Sequence, residues 1–237
     1  MVNHKIWLDH IANDDVGIRL QGALEIAAPE PNMTAVTVPG RNGDLHYYDG
    51  SYKNRPAGVG AYVYRPEDVK DAFGEIHEWL FGAVGYRRIE TDDDSQHFML
   101  GRIQNGADIA ARLNRLAPFR LQFDCKPQRF LIYGEDTISI EGNTTLYNPT
   151  IYTAQPIYKI FGAGDGKITV GAYEMEIVGM EEYLIFDAET ENAYKGAVNQ
   201  NHKIYCPRGM PFEGGEQPIN FSGGITKIEI IPRWWEL

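Results

Sequence analysis

The apolar residues of this chain mostly alternate with polar ones, which is the spacing of a β-strand that buries one face. Every second residue is apolar in residues 119–125, and the same spacing holds in residues 59–63. The 25 glycines and 14 tyrosines suit strands joined by many turns. The sequence therefore predicts a mainly β protein.

One stretch departs from this alternation and has the spacing of a helix. Pro66-Glu67-Asp68 places a proline and two acids where a first helical turn favours them. Gly82 is available to end the helix. The apolar residues at helical intervals between them are Val69, Phe73, Ile76 and Leu80. We expect one clear helix here and none in the second half of the chain.

A domain boundary is expected near residues 126–136. Pro127 is expected to break the preceding strand, and Gly134-Glu135-Asp136 is polar and turn-prone. The predicted domains are residues 1–131, a β-rich unit with the helix, and residues 132–237, a β-sandwich.

Turn signals divide the second half into short strands. Residues 162–166 are expected to turn a hairpin between two apolar runs, and Ser222-Gly223-Gly224 separates two more. An acidic turn at residues 188–192 joins a further pair.

The densest turn signals lie in residues 38–54. Proline presets one backbone angle and glycine supplies positive φ, so each Pro-Gly, Asn-Gly or Asp-Gly pair dictates a turn. We expect a shaped polar loop with little strand of its own, with an ordinary hairpin connection as the alternative. The candidate contact residues of this loop are Pro39, Gly40, Arg41, Asn42, Gly43, Asp44, Asp49, Gly50 and Tyr52.

Composition excludes several classes of function. The net charge of −11 disfavours nucleic-acid binding, although nucleic acid could pass by without sticking. The 43% of hydrophobic residues suffices for a packed core, and no run reaches transmembrane length. The amino terminus lacks the apolar run of a signal peptide. Two distant cysteines do not form a disulfide framework, which fits synthesis in a reducing cytoplasm.

No pattern predicts a cofactor or metal site. Residues 162–167 have the wrong glycine-to-lysine spacing for a phosphate loop, and Ile168 stands where magnesium binding needs Ser or Thr. Asp92-Asp93-Asp94 is interpreted as a solvated turn, since adjacent residues of a strand point in opposite directions. Asn192 occupies the glycine position of a calcium loop. The six histidines form no zinc-binding pair.

No catalytic constellation is found either, so an enzyme is not expected. Neither cysteine has an activating neighbour, and no GxSxG occurs. A glycosidase with paired carboxylates has no supporting motif. Trp234 and Trp235 could form a sugar-stacking platform, but a core plug or contact surface is favoured. An assembly protein is therefore preferred, with a carbohydrate-binding module as the alternative.

Two neighbouring motifs carry a family resemblance: Val38-Pro39-Gly40-Arg41-Asn42-Gly43-Asp44 and Asp49-Gly50-Ser51-Tyr52. Together they resemble the signature of the distal tail protein (Dit) family of long, non-contractile-tailed bacteriophages and their prophages. Further marks follow in the family's order over nearly the whole chain: Trp79-Leu80, Gly85-Tyr86-Arg87-Arg88-Ile89, Gly101-Arg102-Ile103, residues 119–127, residues 156–162, Leu184-Ile185-Phe186-Asp187 and Ile231-Pro232-Arg233-Trp234.

The resemblance implies a virion structural protein of the tail tip or baseplate, made in the bacterial host cytoplasm. It implies a ring-forming first domain that assembles as a homo-hexamer, and a galectin-like β-sandwich as the second domain. It also implies three kinds of partner: the tail tube protein, the tail-associated hub or lysin protein, and receptor-binding or baseplate proteins. A closed head-to-tail ring needs two complementary faces on each subunit. We expect the loop of residues 39–54 to supply one of these contacts.

Overall fold

The computed structural model describes residues 3–64, 69–113 and 118–237, and the chain divides into two compact units. The first unit comprises Met1–Arg129 together with Leu237, and the second comprises Phe130–Glu236. The assignment of residues 1–131 and 132–237 as domains with separate roles stays a prediction.

Most strands of the first unit belong to one antiparallel sheet. Its order is β2-β1-β8-β9-β10-β7-β3, and β4 also pairs with β7. The elements are β1 (Ile6–Leu8), β2 (Ile11–Ala12), β3 (Ile18–Leu20), β4 (Glu25–Ile26), β5 (Pro31–Val36), β6 (Leu45–Tyr52), β7 (Arg55–Val63), α1 (Val69–Phe81), β8 (Arg87–Thr91), β9 (Asp94–Ile103), α2 (Gly106–Leu113) and β10 (Phe119–Leu131). The mainly β fold with one clear helix is thus confirmed.

The predicted helix is α1. Ile76 and Leu80 are buried one turn apart, and Trp79 beside them is buried too. The Gly82 N–H donates to the Glu78 carbonyl oxygen and closes the last turn. The predicted helix start at residues 66–68 lies outside the described residues.

The second helix, α2, is not predicted by the alternation pattern. It is short, with eight residues, and buries Ile109 and Leu113 against the same core as α1. This spacing of four residues is one sequence signal of the helix. Its other sequence signal is the pair of Asp108 in the first turn and Arg112 in the last, whose side chains form an ion pair one turn apart.

Strand β10 shows that Pro127 does not break the strand. The residues from Phe119 to Cys125 alternate between the buried and exposed faces as predicted, and the strand continues to Leu131. Pairing with β7 ends at Cys125 and Arg55, so on that side Pro127 lies beyond the ladder, where no N–H is needed.

The second unit contains an eight-stranded sheet of order β11-β18-β13-β14-β15-β16, with β12 on β18 and β17 on β14. Residues 118–237 contain no α-helix, as predicted. Its strands are β11 (Ile138–Ile140), β12 (Thr144–Asn148), β13 (Ile157–Val170), β14 (Tyr173–Asp187), β15 (Asn192–Lys195), β16 (Val198–Asn199), β17 (Ile204–Tyr205) and β18 (Gly215–Ile231). A further short strand, β19 (Trp235–Glu236), lies outside this sheet.

The predicted hairpin at residues 162–166 is wrong, because strand β13 continues without interruption through these residues. The same holds for Ser222-Gly223-Gly224 within β18. The two strands pair with each other, and their register shifts at Gly162 and between Gly162 and Gly166. The glycines therefore form bulges that bend long strands.

The glycines are required because the two backbones come very close at this point. A Cβ on Gly224 would lie 1.7 Å from the Ala163 carbonyl oxygen, and one on Gly162 would lie 2.0 Å from the Gly224 oxygen. Any side chain there would separate the strands.

The two tryptophans near the carboxyl terminus have different surroundings. Trp234 is buried edge-to-face against Phe212 in the core of the second unit, as the core-plug interpretation predicts. Trp235 is half-buried, stacks on Tyr152 and donates its indole N–H to the Thr153 carbonyl oxygen. The two indoles do not form a shared platform.

Candidate assembly surface

Strands β5 and β6 form a two-stranded sheet of their own, which we call the ribbon (residues 31–52). All six residues of β5 are exposed, as are the residues of β6 up to Ser51. An isolated pair of strands is at best marginally stable in water. A binding partner that covers the ribbon would therefore stabilise it.

Both faces of the ribbon carry large apolar side chains. Residues paired across an antiparallel ladder share a face, so Met33 and Tyr48 lie on one side, while Val36, Leu45 and Tyr47 lie on the other. Each of these side chains is between 44% and 65% exposed. Clustered exposed apolar residues are typical of interaction surfaces.

The tip of the ribbon has the turn chemistry that the sequence predicts. The Arg41 N–H donates to the Val38 carbonyl oxygen at 3.1 Å, and Gly40 has φ +83°. With Pro39 before it, this is a type II turn. Gly43 also has positive φ, and Thr37 Oγ1 donates to Asp44 Oδ1 across the base of the tip at 2.8 Å.

The prediction of a long loop with little strand is wrong, and the hairpin alternative is right. The tip ends at Asp44, and the rest of the predicted loop is strand β6. Three turn signals in succession suggest continuous irregular structure, but the third of them, Asp49-Gly50, lies within the strand.

Asp49 and Gly50 form a bulge in β6. Residues 49–51 lie opposite the single residue Asn32, and Gly50 has φ +91°. Asp49 Oδ1 accepts hydrogen bonds from the Ser51 hydroxyl and the Ser51 N–H, and these bonds lower the pKa of Asp49. Asn32 Nδ2 donates to the other carboxylate oxygen at 3.3 Å. Beyond the bulge, Tyr52 meets Tyr48 edge-to-face.

The base of the ribbon is fixed to the large sheet by a polar network. Asn54 Nδ2 donates to the Tyr86 hydroxyl at 2.6 Å and to Asp124 Oδ2 at 3.0 Å. Arg102 Nε donates to the same Asp124 oxygen at 3.0 Å. Tyr86, Arg102 and Asp124 belong to three motifs that lie far apart in the sequence. These motifs thus converge where the ribbon leaves the sheet.

Arg87, which follows Tyr86 in the sequence, links the large sheet to α1 by hydrogen bonds. Arg87 Nε donates to Asp9 Oδ2 at 2.6 Å, and its Nη1 donates to the Trp79 carbonyl oxygen. An open depression of about 550 Å³ lies beside them, and carboxylates predominate among its polar residues: Asp9, Asp15, Glu75 and Glu78.

The cysteines do not provide a nucleophile. Burial raises the pKa of Cys125 to about 12 and that of Cys206 to about 11. Both are therefore protonated thiols at neutral pH, when only a thiolate is reactive. One group of potential metal ligands, His4 with Asp92 and Asp93, lies in the first unit. Among the described residues, neither helix is long and apolar enough to cross a membrane.

Comparison with known proteins gives a match in structure but not in sequence. No family model matches the chain, and no curated protein matches it. The crystal structure of the SPP1 Dit (gp 19.1) protein, described as a paradigm of the hub adsorption apparatus in phages that infect Gram-positive bacteria, aligns with 99% of this chain and 99% of its own. The TM-score is 0.61 at 12% sequence identity. The chain therefore has the fold of a phage Dit protein from end to end.

Proposed function

We propose that this chain is a structural protein of a bacteriophage or prophage tail tip, where it forms the hub between the tail tube and the host-adhesion proteins. The observation that carries this proposal is the structural match, which spans nearly the whole of both chains. A match confined to one unit would fit any protein that shares one common domain. The low identity means that the function rests on the fold and on the surface described above.

The hub is a closed ring of six copies in this proposal. A head-to-tail ring requires each subunit to present one surface to a different surface of its neighbour. The ribbon supplies the first surface, since its apolar residues are exposed on both faces while the Asn54 network fixes its base. Because its base is fixed, the ribbon loses less conformational entropy on binding than a free segment would, which favours assembly.

The two domains take different roles. Residues 1–131 form the ring and meet the tail tube protein and the tail-associated hub or lysin protein. Residues 132–237, a galectin-like β-sandwich, provide surface for receptor-binding or baseplate proteins. The role is not enzymatic, and the protonated thiols support this. The net charge of −11 supports a channel through which DNA slides without specific binding.

A carbohydrate-binding module is the second candidate. Its supporting observation is the stacked pair of Tyr152 and Trp235, whose ring centroids lie 4.5 Å apart and whose side chains are half-buried. Binding of residues 132–237 to a glycan array, abolished by Trp235→Ala, would favour this candidate over the hub.

The ribbon contact is tested with a matched pair of tyrosines. Tyr47 in the ribbon and Tyr147 in β12 are both 65% exposed. We expect Tyr47→Asp to shift the protein from the hexamer to smaller species in size-exclusion chromatography with light scattering. Tyr147→Asp adds the same charge at equal exposure and should leave the hexamer intact. Equal masses for both variants, with native circular dichroism, would refute the ribbon contact.

A further inference from the structure

Strand register brings His4 to the tight turn between β8 and β9. Strand β1 pairs with β8 so that Ile6 lies opposite Thr91. The pairing continues one residue further, where the Asp92 N–H donates to the Lys5 carbonyl oxygen at 3.1 Å. His4 is therefore carried to the turn formed by Asp92 and Asp93.

Each of the three side chains places one potential ligand atom close to those of the other two. His4 Nδ1 lies 3.5 Å from Asp93 Oδ2 and 3.8 Å from Asp92 Oδ1. One ligand atom from each residue lies within 4.8 Å of the other two. Zinc bonds of about 2.0–2.1 Å in a tetrahedral site place neighbouring ligand atoms roughly 3.4 Å apart. The two distances from His4 Nδ1, 3.5 and 3.8 Å, are close to that spacing.

The His4 nitrogen that faces the carboxylates is buried and makes no hydrogen bond with any described residue. The side chain as a whole is only 23% exposed. The nearby Lys5 ammonium lies 3.5 Å from the Asp14 carboxylate. A buried ring nitrogen without a hydrogen-bond partner, set beside two carboxylates, is an arrangement that a bound cation would stabilise.

We propose that His4 Nδ1, Asp92 and Asp93 bind a divalent transition-metal ion of the zinc type, with water at the remaining positions. Imidazole nitrogen suits zinc and its neighbours, whereas calcium and magnesium prefer oxygen ligands. The ion would fasten the amino-terminal segment to the β8–β9 turn. It would thereby stabilise the first unit in proportion to its affinity.

A metal site at this position has no signal in the sequence, for two reasons. Adjacent aspartates point in opposite directions along a strand, but Asp92 and Asp93 lie in a turn, as the sequence predicts, and there both side chains can face the same side. The third ligand comes from a distant part of the chain, so no local spacing motif could reveal it.

The site is tested by titrating the untagged, EDTA-treated full chain with zinc in isothermal calorimetry, with a parallel thermal melt. We expect one ion per chain and a higher melting temperature. His4→Gln, Asp92→Asn and Asp93→Asn should each weaken binding by about tenfold or more. His10→Gln is the matched control, because His10 Nδ1 lies 3.2 Å from Glu90 but outside the group, and it should bind zinc normally.

Three results would each overturn the proposal. One is the absence of heat and of a melting shift at roughly 1 mM zinc, well above the affinities of built sites. A second is equal zinc affinity in wild type and in folded His4→Gln and Asp93→Asn variants. Calcium binding as tight as zinc binding, and unchanged in His4→Gln, would also contradict it by showing a site of carboxylates alone.

Discussion

Gly224→Ala tests the bent strands of the second unit, because the added methyl group has no space. The new Cβ would lie 1.7 Å from the Ala163 carbonyl oxygen and 2.8 Å from its carbon. Since Cβ contacts below 3.0 Å essentially never occur, β18 and β13 would have to separate by more than 1 Å. Both atoms belong to the backbone, so no flexible side chain can move aside.

We expect this substitution to lower the free energy of unfolding of the second unit by about 3 kcal/mol, at the upper end of overpacking effects. For a unit of about 100 residues, 1 kcal/mol shifts the melting temperature by roughly 4–8 °C. The expected shift is therefore about 12–24 °C. It can be measured by calorimetry on the full chain.

Gly164→Ala is the matched control, in the segment of β13 that passes Gly224. Gly164 has φ +81°, and a Cβ added to it would have no atom within 4 Å, so alanine there suffers only backbone strain. We expect a loss of about 1 kcal/mol. If Gly164→Ala were the more damaging change, Gly164 would lie in a tight hairpin turn, and the continuous strand would be refuted.

Three further predictions concern single groups. Gly43→Val should weaken the hexamer because valine disfavours the positive φ of the ribbon tip, and an unchanged oligomer mass of a folded variant in light scattering would contradict this. Native protein at pH 8 should react slowly with iodoacetamide at Cys206 and not at Cys125, whose pKa is about 12, and rapid labelling of Cys125 in mass spectrometry would contradict its burial. Ser51→Ala should raise the pKa of Asp49 towards its ordinary value in an NMR titration. Because the folded pKa is depressed, the contribution of this bulge to stability is present above about pH 4 and is lost as the pH falls through the folded pKa.

Strands and helices with a regular pattern could be predicted from the sequence. The alternation in β7 and β10 and the helical spacing of α1 each reflect one buried face, which local sequence encodes directly. The turn at the ribbon tip can also be predicted from the sequence, because Pro39 and Gly40 favour a turn whatever residues surround them.

Glycine-rich segments could not be predicted in the same way. Glycine permits positive φ in a turn and close approach in a bulge, and the two uses look identical in sequence. Gly162 and Gly224 serve the second use because another strand passes within contact distance, which only the tertiary structure determines.

The candidate site was predicted in part. The turn at Pro39 and Gly40 lies where the sequence predicts it, but Asp49 and Gly50 lie within a strand, and the exposed apolar residues Met33, Leu45 and Tyr47 are not among the predicted contact residues. Their exposure follows from the isolation of the ribbon from the large sheet, and alternation alone would have predicted a buried face. The Asn54 network joins distant segments and has no local signal.

The mass and symmetry of the purified protein test the hub proposal most directly. A ring of six chains of 26.7 kDa would have a mass of about 160 kDa. We predict this mass in native mass spectrometry and class averages with sixfold symmetry and a central channel in negative-stain electron microscopy. A monomer of 26.7 kDa that persists at high protein concentration, with no ring in the micrographs, would contradict the proposal.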